Sequence, residues 1–202
     1  MYALERFIKL ALDSREGRLF RKPFDKEWRS LCEHYQEKNY SYWSPFRQEA
    51  PVSFAGLENA LEIEIHPDIK KYYGTYWSGT LEANSSEGPL SLIQLWNEQD
   101  HDRLIENLIG HSLNKQKAGR PFTVFFATTD PGSEYFLSIE NSTGTIILEE
   151  PTNKKLREIE SGINAFLERL APTDREFNRP LIKQTKSRKA LYRIFCNDRS
   201  RI

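Results

Sequence analysis

LSLIQLWNEQDHDRLIENLIGHSLNKQKAGRPFTVFFA, residues 90–127, joins an extended segment, an acidic helix and a buried strand. The apolar segment Leu90 to Trp96 predicts a strand. Asn97 then stands where a helix N-cap belongs, and Asp100 three positions later makes a weak capping box. Phe122 to Ala127 is a short continuous apolar run, which is typical of a central strand covered on both faces. The stretch therefore predicts a domain that contains both helices and a sheet.

The helix that follows Asn97 is amphipathic and acidic at its start. Its acidic residues crowd the first turns, where they complement the positive end of the helix dipole. Gly119 can take the left-handed conformation that ends a helix, and Pro121 prevents the helix from resuming. Apolar residues recur at steps of three and four, which predicts a stripe facing the core: Leu104, Ile105, Leu108, Ile109 and Leu113.

The rest of the chain predicts further helices and strands around this stretch. Leu57 to Glu64 alternates like a strand in part, but Pro67 favours a helix-turn-helix in which it opens the second helix. The segment between 39 and 54 is predicted as a loop. Three further helices are predicted: from Ala3 to Arg15, directly after Asp25, and from Asn153 to Leu170. The apolar face of the helix after Asp25 would consist of Trp28, Leu31, Cys32 and Tyr35. Strands are predicted at about 80–83, 90–96, 122–127, 135–140 and 145–148. The fold class that results is α+β, with a mainly antiparallel sheet of about five strands packed with helices.

Composition limits the class of protein. The chain has 202 residues, of which 29% are charged and 38% apolar, as expected of a soluble globular protein rather than a disordered one. It has no apolar run near the ~20 residues that a transmembrane helix needs, and Glu5 and Asp13 interrupt what would be a signal peptide. Cys32 and Cys196 lack metal or redox spacing, which favours free thiols in a reducing compartment. We therefore expect a cytosolic protein.

The net charge of zero conceals a polarised distribution. Between residues 49 and 112 there are eleven acidic side chains and three basic ones, a net charge of −8. From residue 173 to the end there are nine basic and three acidic side chains, a net charge of +6. Such asymmetry predicts partners of opposite sign for the two parts, or an interaction between them.

A search for catalytic or metal-binding patterns favours a protein that is not an enzyme. The four histidines lack the spacing of a zinc site, and nucleophile elbows, phosphate-binding loops and dinucleotide fingerprints are absent from the sequence. Carboxylates two positions apart, such as Asp100 and Asp102, point to different sides of a helix and so are not preorganised for acid–base chemistry. We expect no catalytic residue, no cofactor, no metal and no small-molecule substrate.

Several phrases of the sequence are specific enough to indicate a family. They include Leu92, Gln94, Trp96, Glu98, Asp100 and Arg103, the hexapeptide ENLIGH at 106–111, and PFTVFFAT at 121–128. These phrases resemble the Syd family. The phrase from Gly56 to Ala83, FLSIENSTGTIILE at 136–149 and INAFLERLAP at 163–172 also fit. The resemblance divides the chain into a Syd-like domain, 1–172, and a basic C-terminal extension, 173–202.

The resemblance implies a fold similar to the Smi1/Knr4-like fold and a function at the membrane. Syd-like proteins are regulators that bind SecY, the channel subunit of the protein-secretion translocase, by presenting an acidic concave surface to its basic cytoplasmic loops. They are peripheral proteins of the cytoplasmic side of the inner membrane, with a soluble pool. They would recognise uncomplexed or improperly assembled SecY and regulate it negatively. Nucleic acid is not an expected partner.

The resemblance also implies a partner-binding set and an alternative function. The acidic residues that match the family pattern are Glu58, Glu62, Glu98, Asp100 and Glu106. Without the resemblance, the favoured interpretation of these carboxylates is that they are solvated helix faces. The alternative function is that of a Smi1/Knr4-type immunity protein, which would bind and neutralise a basic toxin domain.

Two further features leave alternatives open. Tyr73, Trp77 and Trp96 are candidate apolar anchors for a partner, although a role in the core is favoured. The basic extension contains a candidate amphipathic helix from Leu181 to Phe195. The extension reads as a solvated tail, as an adapter to anionic lipid headgroups, or as an internal ligand lying over the acidic surface.

Overall fold

A computed structural model describes residues 2–129, 133–150 and 155–173. The helices in this part of the chain are α1 (Tyr2–Asp13), α2 (Ala55–Leu61), α3 (Pro67–Tyr73), α4 (Glu98–Lys117) and α5 (Ile163–Glu168). The strands are β1 (Phe20–Pro23), β2 (Glu33–Glu37), β3 (Tyr40–Trp43), β4 (Phe46–Arg47), β5 (Tyr76–Trp77), β6 (Leu81–Ser85), β7 (Gly88–Leu92), β8 (Thr123–Thr128), β9 (Phe136–Glu140), β10 (Ile146–Glu149), β11 (Lys155–Glu160) and β12 (Ala171–Pro172).

The main sheet has seven strands in the order β11-β10-β9-β8-β7-β6-β12, and every neighbouring pair is antiparallel. Two smaller sheets, β1-β3-β2 and β4-β5, complete the architecture of the described residues. The predicted α+β class with an antiparallel sheet is confirmed. The predicted number of about five strands was too low, because β11 and β12, which form the two edges, were not recognised.

The centre of the sheet is apolar on both faces because helices cover both. Phe125 of β8 packs edge-on against His111 of α4, with ring centroids 6.0 Å apart. The next residue, Phe126, faces Tyr72 of α3 at 5.7 Å and Phe166 of α5 at 5.6 Å. Burying each large side chain stabilises the fold by roughly 1.5–3 kcal/mol. This two-sided cover explains why the strand reads as a continuous apolar run.

Three helix predictions are confirmed. Helix α1 falls where the amphipathic pattern placed it, and α2 and α3 form the predicted helix-turn-helix, with Pro67 at the start of α3. The side chain of Asn97 caps α4 by accepting a hydrogen bond of 2.9 Å from the backbone N–H of Asp100. Gly119 has φ +62°, the left-handed conformation predicted just beyond the end of this helix.

The predicted helix after Asp25 was wrong, as was the loop between 39 and 54. The chain instead forms a hairpin of β2 and β3, turning at Lys38 with φ +54°. Tyr42 lies on the outer face of β3, while Trp43 is buried and stacks on Phe20 of β1 at 4.6 Å. Half-buried and buried side chains alternate along YSYW, but over four residues, three of them aromatic, this alternation was too weak a signal to identify the strand.

The predicted helix from Asn153 to Leu170 was wrong in its first half. Lys155–Glu160 is the edge strand β11, which pairs with β10, and α5 begins only after Gly162. The predicted apolar helix face is present from Ile163 onward, where Phe166 and Leu167 are buried. Residues 151–154 and the basic extension beyond Thr173 lie outside the described residues, so the division at 172 stays a prediction.

Candidate partner-binding surface

Two acidic helices lie side by side in the structure. Helix α2 packs against α4. At the joint, Phe54, which precedes α2, meets His101 of α4 edge to face at 5.5 Å, and Leu57 is fully buried. Burial lowers the pKa of His101, against the opposing effect of Asp102. This contact makes neighbours of α2 and α4, the two helices on which or beside which the predicted acidic residues stand.

The buried side of α4 differs from the predicted stripe. Leu104 and Leu108 are buried as predicted, but the other two buried residues are His111 and Lys115. Ile105 and Ile109 are only half-buried, and Leu113 is 48% exposed. The helix is therefore rotated about its axis relative to the prediction: Ile105 and Ile109 pack against the core but stay partly exposed, and Leu113 lies outside it.

The outer side of α4 carries acidic and apolar side chains together. Since four residues advance a helix by little more than one turn, Glu98, Asp102 and Glu106 share one side of α4. The same spacing places Ile105, Ile109 and Leu113 beside them. We call these three residues the α4 apolar line, and Glu62, Glu98, Asp102 and Glu106, which are all exposed, the acidic α2–α4 surface. Asp102 was absent from the predicted partner-binding set, although its spacing from Glu98 and Glu106 could have identified it.

Glu58 lies in this region but is engaged within the protein. One of its carboxylate oxygens accepts a hydrogen bond of 2.9 Å from the backbone N–H of Ile65 and lies 2.6 Å from the ammonium of Lys70. The Lys70 contact, followed by the Ile65 N–H, lowers the pKa of Glu58. Its side chain is 23% exposed, so it closes the α2–α3 turn and still adds charge to the region.

Glu62 and Asp100 stand at helix ends. Glu62 ends α2 in the left-handed conformation, with φ +55°, and its side chain is exposed. The backbone N–H of Asp100 donates to Asn97, as in the predicted capping box, while the Asp100 carboxylate accepts a hydrogen bond of 3.0 Å from the N–H of Trp96, the residue before the N-cap. The Arg103 guanidinium lies 3.8 Å from the other oxygen of that carboxylate. Of the five predicted residues, Glu62, Glu98 and Glu106 are thus the most exposed, while Glu58 and Asp100 also stabilise local structure.

A buried polar network lies under the second half of α4. Thr123 of β8 donates a hydrogen bond of 2.8 Å to Glu149 of β10, so its hydroxyl must accept the one from His111 Nε2 at 2.9 Å. Lys115 pairs with the other oxygen of Glu149, and both side chains are almost completely buried. Burial, and next the Lys115 charge, lower the pKa of His111 to about 3, so the imidazole is neutral. The network is enclosed by the fold and holds α4 on the sheet.

The three aromatic anchor candidates belong to the core, as favoured from the sequence. Tyr73 is fully buried, and Trp77 and Trp96 are 8% and 2% exposed. The Trp96 indole N–H donates to the Trp28 carbonyl at 2.9 Å, and the ammonium of Lys22 lies 3.4 Å from its ring centroid. These contacts join the small β1-β3-β2 sheet to the start of α4 and leave the rings unavailable to a partner.

The described residues contain no group of three or more His, Cys, Asp or Glu side chains placed to hold a metal ion. Cys32 is a buried free thiol, and burial raises its pKa to about 11. In the same part of the chain, none of the helices combines the length and the apolar character needed to cross a membrane.

A family model described as Syd protein (SUKH-2) matches residues 2–172. The chain belongs to the Syd family. Protein Syd of Alteromonas mediterranea is 34% identical over 171 residues, covering 84% of this chain and 94% of its own length. Protein Syd of Pseudoalteromonas atlantica is 35% identical over 74% of this chain and 82% of its own. Protein Syd of Colwellia psychrerythraea is 38% identical over 72% and 78%. The Syd family match thus confirms the family resemblance and ends close to where the described residues end.

Proposed function

We propose that this Syd-family chain is a regulatory protein that docks on SecY, the channel subunit of the protein-secretion translocase, through the acidic α2–α4 surface. The observation that carries the proposal is that exposed carboxylates lie along α4 and at the end of α2, two helices that pack against each other in a chain that belongs to the Syd family. Glu62, Glu98 and Glu106 make the direct contacts. Glu58 and Asp100 add charge while they hold the ends of their helices.

The physical basis is attraction between this surface and basic loops. Cytoplasmic loops of membrane proteins are enriched in Lys and Arg, so SecY presents positive charge on that side. An exposed ion pair contributes only about 0.2–1 kcal/mol, so several must act together, and salt must weaken the complex. A carboxylate-lined surface also steers basic partners toward it and speeds their association.

The proposal places the chain peripherally on the cytoplasmic side of the inner membrane, with a soluble pool, because the basic loops lie there. SecY that is uncomplexed or improperly assembled exposes those loops, so we propose that it is the preferred target and that docking opposes its function. The proposal involves no catalytic step, cofactor, nucleic acid or small-molecule substrate.

A charge-reversal experiment tests the assignment. The test protein carries Glu62→Lys, Glu98→Lys and Glu106→Lys, and cosedimentation with SecY-containing and SecY-free proteoliposomes is measured at two salt concentrations. Three reversed contacts should weaken binding at least about tenfold. The control carries Glu37→Lys, Glu134→Lys and Glu168→Lys, which change the net charge equally at exposed positions outside α2 and α4. Equal binding by the two folded proteins would refute the acidic-surface assignment.

The alternative function, an immunity protein that neutralises a basic toxin domain, would use the same surface. The α+β architecture that the chain shares with the Smi1/Knr4-like fold favours keeping it as the second candidate. Pull-downs from SecY-containing membranes and from secreted toxin cargo distinguish the two functions. The test protein should no longer bind the genuine partner, and the control protein should still bind it.

A further inference from the structure

The α4 apolar line is not explained by attraction to basic residues alone. A solvated acidic helix face needs no large apolar side chains, yet Leu113 is 48% exposed on the side that carries Glu98, Asp102 and Glu106. Ile105 and Ile109 pack against the core with their inner parts and expose the rest beside it. Helix faces that mix carboxylates with aliphatic side chains complement segments that are both basic and apolar. The occupant should therefore combine the two properties.

The C-terminal extension of this same chain has that composition. Residues 174–202 contain nine basic and three acidic side chains, a net charge of +6 opposite the acidic α2–α4 surface. Its bulky aliphatic and aromatic residues between 181 and 195 are Leu181, Ile182, Leu191, Tyr192, Ile194 and Phe195. The Syd-family match ends at residue 172, so the extension lies outside it.

The point where the extension leaves the domain permits the contact. Thr173 is held by a backbone hydrogen bond of 3.0 Å from its N–H to the carbonyl of Glu82, beside the pairing of β12 with β6. From there 29 residues follow. At roughly 3.3–3.6 Å for each extended residue they reach on the order of 100 Å, several times the radius of a domain of this size. A covalent tether supplies an effective concentration on the order of millimolar, so weak contacts suffice.

We propose that residues 174–202 bind the acidic α2–α4 surface and the α4 apolar line of their own chain. The basic side chains of the extension pair with the carboxylates of the acidic α2–α4 surface, and the apolar side chains of the extension cover Ile105, Ile109 and Leu113. The consequence for regulation rests on the proposed function: the extension occupies the surface that basic SecY loops would use, so a partner must displace it to dock.

Photo-cross-linking in the full chain tests the contact. One protein carries p-benzoylphenylalanine in place of Leu113, and a control carries it in place of Tyr2, which is 74% exposed on α1. At low salt we expect the main intramolecular product of the Leu113 probe to lie within residues 174–202, and that of the Tyr2 probe to lie elsewhere. The yield should fall at least fivefold at 0.5 M salt, where screening is strong. It should fall similarly in a chain with Arg188→Glu, Lys189→Glu and Arg193→Glu.

Three results would overturn the proposal. Equal cross-linking to the extension from both probes would show an unspecific tail. Products that join isotope-labelled to unlabelled chains in a mixture would assign the surface to a second copy. Absence of the product together with extension-dependent binding to anionic vesicles would assign the extension to lipid. SecY is absent from the assay, so failure here leaves the proposed function standing, and failure of the proteoliposome test leaves this contact standing.

Discussion

Replacing Lys115 with methionine should destabilise the protein more than any other single lysine substitution on α4. The ammonium pairs with Glu149 in a site where the two side chains are 3% and 0% exposed. Methionine retains most of the aliphatic volume but removes the ammonium, so the buried Glu149 carboxylate loses its ion-pair partner and keeps the hydrogen bond from Thr123. Breaking a buried ion pair on one side costs about 3–5 kcal/mol, because the remaining charge loses its compensation.

The double replacement Lys115→Met with Glu149→Leu should recover most of that loss. It removes both charges, and two apolar groups of similar size are often as stable as the buried pair they replace. Thr123 then lacks the acceptor of its 2.8 Å hydrogen bond, which costs about 1 kcal/mol. The double variant should therefore lie about 1 kcal/mol below the unmodified chain, and the coupling between the two positions should be several kcal/mol.

Urea unfolding at pH 7 measures both variants, with Lys117→Met as the matched control. Lys117 lies two residues away on α4 and is exposed, so its substitution should change the free energy of unfolding by less than about 0.5 kcal/mol. If Lys115→Met costs no more than this control, or if the double variant is as unstable as the single one, the pair is not the compensated buried site described above.

Three further changes test other parts of the structure. The folded pKa of His111 is about 3, below its unfolded value, so the unfolded state takes up the proton first and stability should fall with a slope of up to about 1.4 kcal/mol per pH unit as pH drops below ~6.5. His111→Gln should flatten that slope in acid unfolding curves, whereas the exposed His34→Gln should not; equal slopes would contradict the burial effect. Gly79→Ala should lower the free energy of unfolding in urea by about 1–3 kcal/mol, because the new Cβ would lie 2.5 Å from the buried Trp43 ring. A decrease of less than about 0.5 kcal/mol would show that the ring moves to make room. Asn97→Ala should cost about 1 kcal/mol through loss of the α4 cap, and an unchanged melting temperature would refute that role.

The sequence was sufficient where a local rule decides the structure. Asn97 caps α4 as predicted, Pro67 opens α3, and the apolar run that ends at Ala127 is the covered central strand β8. Each depends on interactions within a few residues or on a burial pattern that only one element satisfies. Such features can be predicted from the sequence without knowledge of the fold.

The sequence was insufficient where a distant partner decides. The β2 and β3 hairpin depends on Trp43 stacking on Phe20, 23 positions earlier, and β11 exists because β10 offers it an edge. Neither segment has the clean alternation or the strong propensity that would identify it alone, because tertiary packing overrides such weak local preferences. The acidic surface shows the same limit: α2 and α4 meet only through long-range packing.

The misread face of α4 connects these errors to the candidate site. The apolar periodicity placed Ile105, Ile109 and Leu113 on the core side of α4, whereas Glu149, 34 positions after Lys115, allows Lys115 to be buried, and Thr123 does the same for His111. Burying these two polar side chains turns the helix, so that Leu113 lies outside the core and Ile105 and Ile109 stay partly exposed beside Glu98, Asp102 and Glu106. The buried ion pair and the mixed outer face are thus two results of one helix rotation. If a chain with Lys115→Met and Glu149→Leu keeps this helix rotation, it should also keep the Leu113 cross-link to the extension. If α4 instead rotates so that Leu113 is buried in the core, the cross-link should be lost.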